Sequence, residues 1–167
     1  IPVDVVDAQS NPLYQKMIDL SIVLRFFALS DPDKMESAFK DHLSEFMEVR
    51  NKLYESDKSL EEKDTERFTR AVSNSLNIFG VNPFRSVTKK PKGPPSLPIA
   101  EAIMVALADY DPKNIAPEDA EKVRNSFAEL CSNQDFVKAT SSGTNGKGAI
   151  RTRINMTKEK FRAHLAK

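Results

Sequence analysis

Leu20-Ser-Ile-Val-Leu-Arg-Phe-Phe-Ala-Leu29 holds eight apolar residues and a single charge, Arg25. A helix that is apolar almost all round belongs inside a core rather than on its surface, so this stretch predicts a helical domain built around it. A guanidinium among such neighbours must be paired or bound to carbonyls. Arg25 is therefore expected in a buried ion pair that orients the helix, or pointing at a ligand in an interdomain cleft. The nearest acid, Asp19, lies on another helix face.

Working outward, Asn11 and Pro12 read as a cap and first-turn proline for this first helix. Asp31-Pro32 repeats the signal for a second, whose stripe is Met35, Phe39, Leu43, Phe46 and Met47 and which should end near Tyr54. Ser59 followed by Glu62 has capping-box spacing for a third, with Phe68, Val72, Leu76 and Phe79 inward and Gly80 as its stop. Residues 86–98 carry four prolines and a glycine, which predicts a loop. Beyond it come a helix with Ile99, Ile103, Ala106, Leu107 and Tyr110 on one face, another opened by Pro117 with Val123, Phe127 and Leu130 inward, a short turn around Phe136, and a last helix with Ile150, Ile154, Phe161 and Leu165 on one side. No alternating strand pattern and no internal repeat is present. The expected fold is all-α: an irregular bundle of six or seven helices with a central apolar first helix, forming one domain over 11–167 behind an N-terminal linker at 1–10.

A chain of 167 residues that is 40% hydrophobic suits one domain with a sizeable core. The lone Cys131 has no internal disulfide partner, which fits a reducing cytosol. The longest uncharged apolar run, Ala102 to Ala108, is too short to span a bilayer, and a cytoplasmic location without a membrane partner is expected. Because the sequence opens on Ile1, it reads as a piece of a longer protein. Charge is uneven: residues 1–66 hold 8 Lys and Arg against 15 Asp and Glu, and residues 67–167 hold 17 against 9, so the halves carry −7 and +8. Such asymmetry can order the halves against each other or present a basic surface to a polyanion.

The basic excess is densest at the C-terminal end, where residues 147–167 contain seven cations and only Glu159 as an acid. Lys147, Arg151, Arg153 and Lys158 are thus candidate phosphate contacts, against the plainer reading of a solvated helix face. Lys89, Lys90 and Lys92 in the proline-rich loop could supplement them. Ser142-Gly-Thr-Asn-Gly-Lys-Gly148 invites comparison with a phosphate-cradling loop, but Gly143 stands too close to Gly146-Lys147 for a Walker A motif and no strand precedes it. Asp41, His42 and Glu45 lack a second histidine at ligand spacing, so neither a metal set nor an acid–base site follows. Ser37-x-x-Lys40 and Ser86-x-x-Lys89 lack the companions that this chemistry requires. No catalytic constellation is expected in this chain.

Four segments, taken in order, carry a family resemblance: Asp19-Leu-Ser-Ile-Val-Leu-Arg-Phe-Phe-Ala28, Ile78-Phe-Gly-Val-Asn-Pro-Phe-Arg85, Glu101-Ala-Ile-Met-Val-Ala-Leu-Ala108, and Phe136 through Ser142-Gly-Thr-Asn to Arg153-Ile154. The set resembles the C-terminal helical part of the Asp-Gly-Gln-Gln-Arg motif family, a domain of unknown function best known from GmrSD-type restriction endonucleases. That family has an acidic residue where Ser21 stands, so a helix-internal partner for Arg25 is missing here. Its nucleotide-linked motif lies in an N-terminal ParB-like domain; Val6-Asp-Ala-Gln-Ser10 is similar only in look and sits directly before the helical part. The resemblance implies a non-catalytic helical module of a restriction-type, DNA-targeting defence protein, packed on that N-terminal NTPase or nuclease domain. It implies no cofactor in this chain, with a nucleotide and a divalent metal belonging to the N-terminal domain, and DNA as a further partner; contact through the basic residues named above is an expectation from their charge alone. The alternative is a scaffold module that binds proteins and has no nucleic-acid role; salt-sensitive DNA retention separates the two.

Overall fold

A computed structural model describes residues 18–81, 83–87 and 95–165. The expected linker at 1–10, the helix start at Asn11-Pro12 and the loop lysines Lys89, Lys90 and Lys92 lie outside the described residues. Among those described there are seven α-helices and no strand, which is the expected all-α bundle. In chain order they are α1 (Ile18–Ala28), α2 (Phe39–Ser56), α3 (Ser59–Phe79), α4 (Leu97–Leu107), α5 (Pro117–Leu130), α6 (Gln134–Ser141) and α7 (Lys147–Arg162). Short 3-10 turns at Pro32–Lys34 and Pro112–Asn114 fill two connections.

The helix at the centre is α4 rather than α1. Every residue from Ile99 to Leu107 is buried, and α4 packs against α1, α3, α6 and α7. Pro98 sits in its first turn, where a missing N–H leaves no bond unmade, so the proline-rich segment gives way to helix earlier than its composition suggests. Ile103 and Leu107 join Ile78, Val123, Phe127, Leu130, Phe136 and Phe161 in one apolar cluster. Met104 and Val105 join Phe26, Leu29, Met35, Ile150 and Ile154 in a second. Each fully buried side chain of this size contributes about 1.5–3 kcal/mol, and α4 is the wall that both clusters share. Among residues 20–28 of α1, by contrast, only Arg25, Phe26 and Ala28 are buried, and Leu20 is 62% exposed.

Two expectations shift for local reasons. Asp31-Pro32 opens only the 3-10 turn, and α2 starts at Phe39, so Met35 is buried from a connection and not from a helix. Asp57, not Ser59, caps α3: its Oδ1 accepts from the Ser59 backbone N–H at 3.0 Å and from the Ser59 hydroxyl at 2.7 Å. Gly80 ends α3 at φ 75, a conformation that side chains resist. In α3 the fully buried positions are Asp64, Ala71, Asn74, Ser75 and Ile78; Phe68, Val72 and Phe79 are only half-buried and Leu76 is exposed.

Candidate functional site

Arg25 finds its partner across the core. The Nε of Arg25 donates to Glu101 Oε1, and from the opposite side the Nε of Arg153 donates to Glu101 Oε2 at 3.1 Å, joined by its Nη2. One buried carboxylate from α4 thus ties α1 to α7. All three are buried, Arg153 completely so at 0% exposure. Further donors are engaged as well: Arg25 Nη2 reaches Asn145 Oδ1 at 3.3 Å and its guanidinium lies 4.5 Å over the Phe39 ring, while Arg153 Nη1 donates to the Thr144 carbonyl at 2.6 Å. Burial pulls the Arg153 guanidinium below the ordinary arginine value, and the Glu101 charge opposes that pull.

The glycine-rich loop serves this centre. Gly143 adopts φ 57, and the Gly146 N–H donates to the Gly143 carbonyl at 2.9 Å. This tight turn brings Thr144 and Asn145 against the two arginines. At Gly146 a Cβ would stand 3.2 Å from the Gly143 carbonyl oxygen, so its glycine closes the turn.

The basic residues of α7 divide by helix face. Ile150, Arg153, Ile154, Thr157 and Phe161 form the buried face, which places Arg153 in the core and corrects its reading as a surface phosphate contact. Lys147, Arg151 and Lys158 recur at helical spacing on a second face and meet the segment that follows α1. Lys147 Nζ donates to the Glu36 carbonyl. Arg151 donates to the carbonyls of Pro32 at 3.2 Å and Asp33 at 2.9 Å, and lies 3.6 Å from the Asp33 carboxylate. Lys158 Nζ donates to the Ser30 carbonyl at 2.7 Å, and burial pushes its pKa down. The backbone there has left the α-helix, which frees carbonyls for side-chain donors, although that of Pro32 also accepts from the Met35 N–H at 3.4 Å within the 3-10 turn. His42 Nε2 meets the Ala28 carbonyl at 2.8 Å, and Arg67 donates to the Ser30 hydroxyl at 2.9 Å, so α2 and α3 complete the cap.

Glu101, Thr144 and Asn145 were not singled out as site residues in the sequence. The signal was present: Glu101 is the lone charge of α4 as Arg25 is the lone charge of Leu20–Leu29, two opposite charges each stranded in an apolar helix. Arg153, one residue before Ile154 and three after Ile150, carried the same mark.

A separate cleft of about 400 Å³ runs between the end of α4 and α7, lined in part by Asp109, Tyr110, Lys158, Glu159 and Arg162 and by none of Arg25, Glu101 and Arg153. Its charges are mixed, and Lys158 and Asp109 are already engaged, Asp109 by Arg67 at 3.0 Å. Among the described residues no group of three or more His, Cys, Asp or Glu side chains could hold a metal ion, and no helix is long and apolar enough to cross a membrane. The candidate set Asp41, His42 and Glu45 is dispersed by His42 turning to Ala28 and Glu45 accepting from the Ser37 hydroxyl at 3.0 Å. No protein-family model, curated protein or solved structure matches this chain.

Proposed function

We propose that this chain is a non-catalytic helical module of a restriction-type, DNA-targeting defence protein, packed on an N-terminal ParB-like NTPase or nuclease domain. The observation that carries the reading is the meeting of three of the four resembling segments at one centre: Arg25 from the first, Glu101 from the third, and Thr144, Asn145 and Arg153 from the fourth. Segments far apart in sequence resemble one family for a shared reason if they build one buried centre. With no acid at Ser21, it is Glu101 that supplies the charge Arg25 needs. In this reading the nucleotide and metal chemistry belongs to the N-terminal domain. DNA phosphates would be contacted chiefly there too, because Lys147, Arg151, Arg153 and Lys158 all donate to groups within the fold.

The test is the reading frame upstream of Ile1 together with assays on its full product. An Asp-Gly-Gln-Gln-Arg motif in that frame and NTP-dependent cleavage of DNA by the product support the proposal. A frame without that motif, whose product neither retains nor cleaves DNA at low salt, overturns it in favour of the scaffold reading. That second reading is favoured by the same internal engagement of the basic side chains, which leaves α7 a poor phosphate-binding surface.

A further inference from the structure

The α2–α3 hairpin departs from the rest of the molecule. No residue of α2 is buried although the helix has 18 residues, and from Met47 to Lys63 nothing is buried on either helix. The main packing partners of α2 are α1 and α3. Phe39 and His42, at its start, meet Arg25 and Ala28, while Arg50 and Tyr54, further on, meet Asp64 of α3. The hairpin is therefore an arm, rooted in the body at one end and held together by a polar staple further out.

A polar staple ties the two helices of the arm together. Asp64 is buried and accepts from Arg50 Nε at 2.7 Å and from the Tyr54 hydroxyl at 2.6 Å. Directional bonds of this sort fix the register of two helices where apolar burial is thin. Along the flank of α2, Phe46, Val49 and Leu53 stand at i, i+3 and i+7, with Val49 58% and Leu53 42% exposed. A preorganised apolar ridge on a helix is the geometry that receives another amphipathic helix.

Charge selects the occupant. Residues 41–66 hold nine acids against four bases, a net −5. Acids Asp41, Glu45 and Glu48 flank the ridge on the solvent side by helical spacing. That field opposes a nucleic acid or an anionic membrane, and it opposes a second acidic arm. Residues 1–17 of this chain, with Asp4 and Asp7 against Lys16, are not its complement either. We infer that the α2 flank around Val49 and Leu53 is a docking surface for a cationic amphipathic helix of another protein or domain. Apolar residues of the partner cover the ridge, and its lysines or arginines meet Glu45 and Glu48. The inference does not rest on the defence reading and fails or survives separately from it.

The probes are two 18-residue helical peptides of the same apolar pattern, one with lysines and one with glutamates on the polar face, titrated into the full chain and followed by backbone amide shifts. Expected is saturable binding of the Leu/Lys peptide with shifts confined to residues 42–62, and at least tenfold weaker binding of the Leu/Glu peptide. The double variant Val49→Asp/Leu53→Asp should lose the Leu/Lys peptide by at least tenfold with an unchanged circular dichroism spectrum, as both positions are exposed. Val137→Asp, exposed on α6 away from the arm, should leave it unchanged. Glu45→Lys/Glu48→Lys should weaken it about tenfold and flatten its salt dependence. Equal binding of both peptides, shifts scattered over the surface, self-association of the chain through the arm, or affinity indifferent to Val49→Asp/Leu53→Asp would each overturn the inference.

Discussion

Among the described residues two buried carboxylates, Glu101 and Asp64, are held by arginine, and their settings could hardly differ more. Glu101 lies buried in the body, where two arginines bind its carboxylate and a loop in turn binds those arginines. Asp64 lies in the arm, buried itself but bound to an Arg50 side chain that is 24% exposed and to the half-buried Tyr54. Removing Glu101 would strand two desolvated cations with nowhere to turn; removing Asp64 would leave Arg50 a short path to water. The comparison teaches that an ion pair matters by what its loss leaves behind, more than by its own Coulomb energy.

The comparison can be broken in graded steps. Glu101→Ala should cost about 3–5 kcal/mol, because a buried pair loses one partner; urea unfolding of the full chain reads this as a lower midpoint with little change in slope. Asp64→Ala should cost less, about 1–3 kcal/mol, and hydrogen exchange should show the loss chiefly as faster opening of α2 and of the N-terminal half of α3, with α4 protected. A smaller effect tests the α7 clamp: Arg151→Ala should cost about 0.5–1.5 kcal/mol, with added exchange at residues 30–36 and none at the arm tip. Gly143→Ala should cost about 1–2 kcal/mol through its left-handed backbone and should loosen the Thr144 and Asn145 contacts rather than abolish folding.

The smallest effect is one of pH. Burial and the bond to Asp64 hold the Tyr54 phenol above its ordinary value of 10.0. The folded state thus keeps a proton that the unfolded state has released, so this stabilisation is full below about pH 10 and is lost as pH rises through the raised value. Tyr54→Phe should remove that part of the alkaline slope in stability, measured by urea midpoints between pH 9 and 11; an identical slope in the variant would show that Tyr54 does not titrate from this bond.

Sequence periodicity found the core where the core is deep. Ile99, Ile103 and Leu107, then Val123, Phe127 and Leu130, then Ile150, Ile154 and Phe161 are all buried as their spacing predicts. It misjudged α2, because Phe39, Leu43, Phe46 and Met47 repeat as a core face does, yet Met47 is exposed and the other three only half-covered. Spacing reports that a helix has an apolar side and is silent on what covers it. It also ranked α1 above α4, since a run of large aliphatic and aromatic residues looks more enclosed than the alanine-rich Leu97–Leu107 segment. Small side chains are what let α4 be approached from all sides. The centre at Glu101 was half legible: Arg25 demanded a partner, but which acid answers it depends on how α1, α4 and α7 pack, a matter of tertiary geometry. Charge counting alone assigned Arg153 to the surface, when the apolar spacing of its neighbours placed it inside.

The most direct measurement is urea unfolding of Glu101→Ala beside the triple variant Arg25→Met/Glu101→Leu/Arg153→Met. If Glu101 serves to neutralise two buried arginines, the single variant loses about 3–5 kcal/mol, and the triple variant, with no buried charge left unpaired, recovers to within about 2 kcal/mol of the native chain. A Glu101→Ala chain as stable as the native one, or a triple variant no better than the single, would contradict that role for the centre that joins α1, α4 and α7.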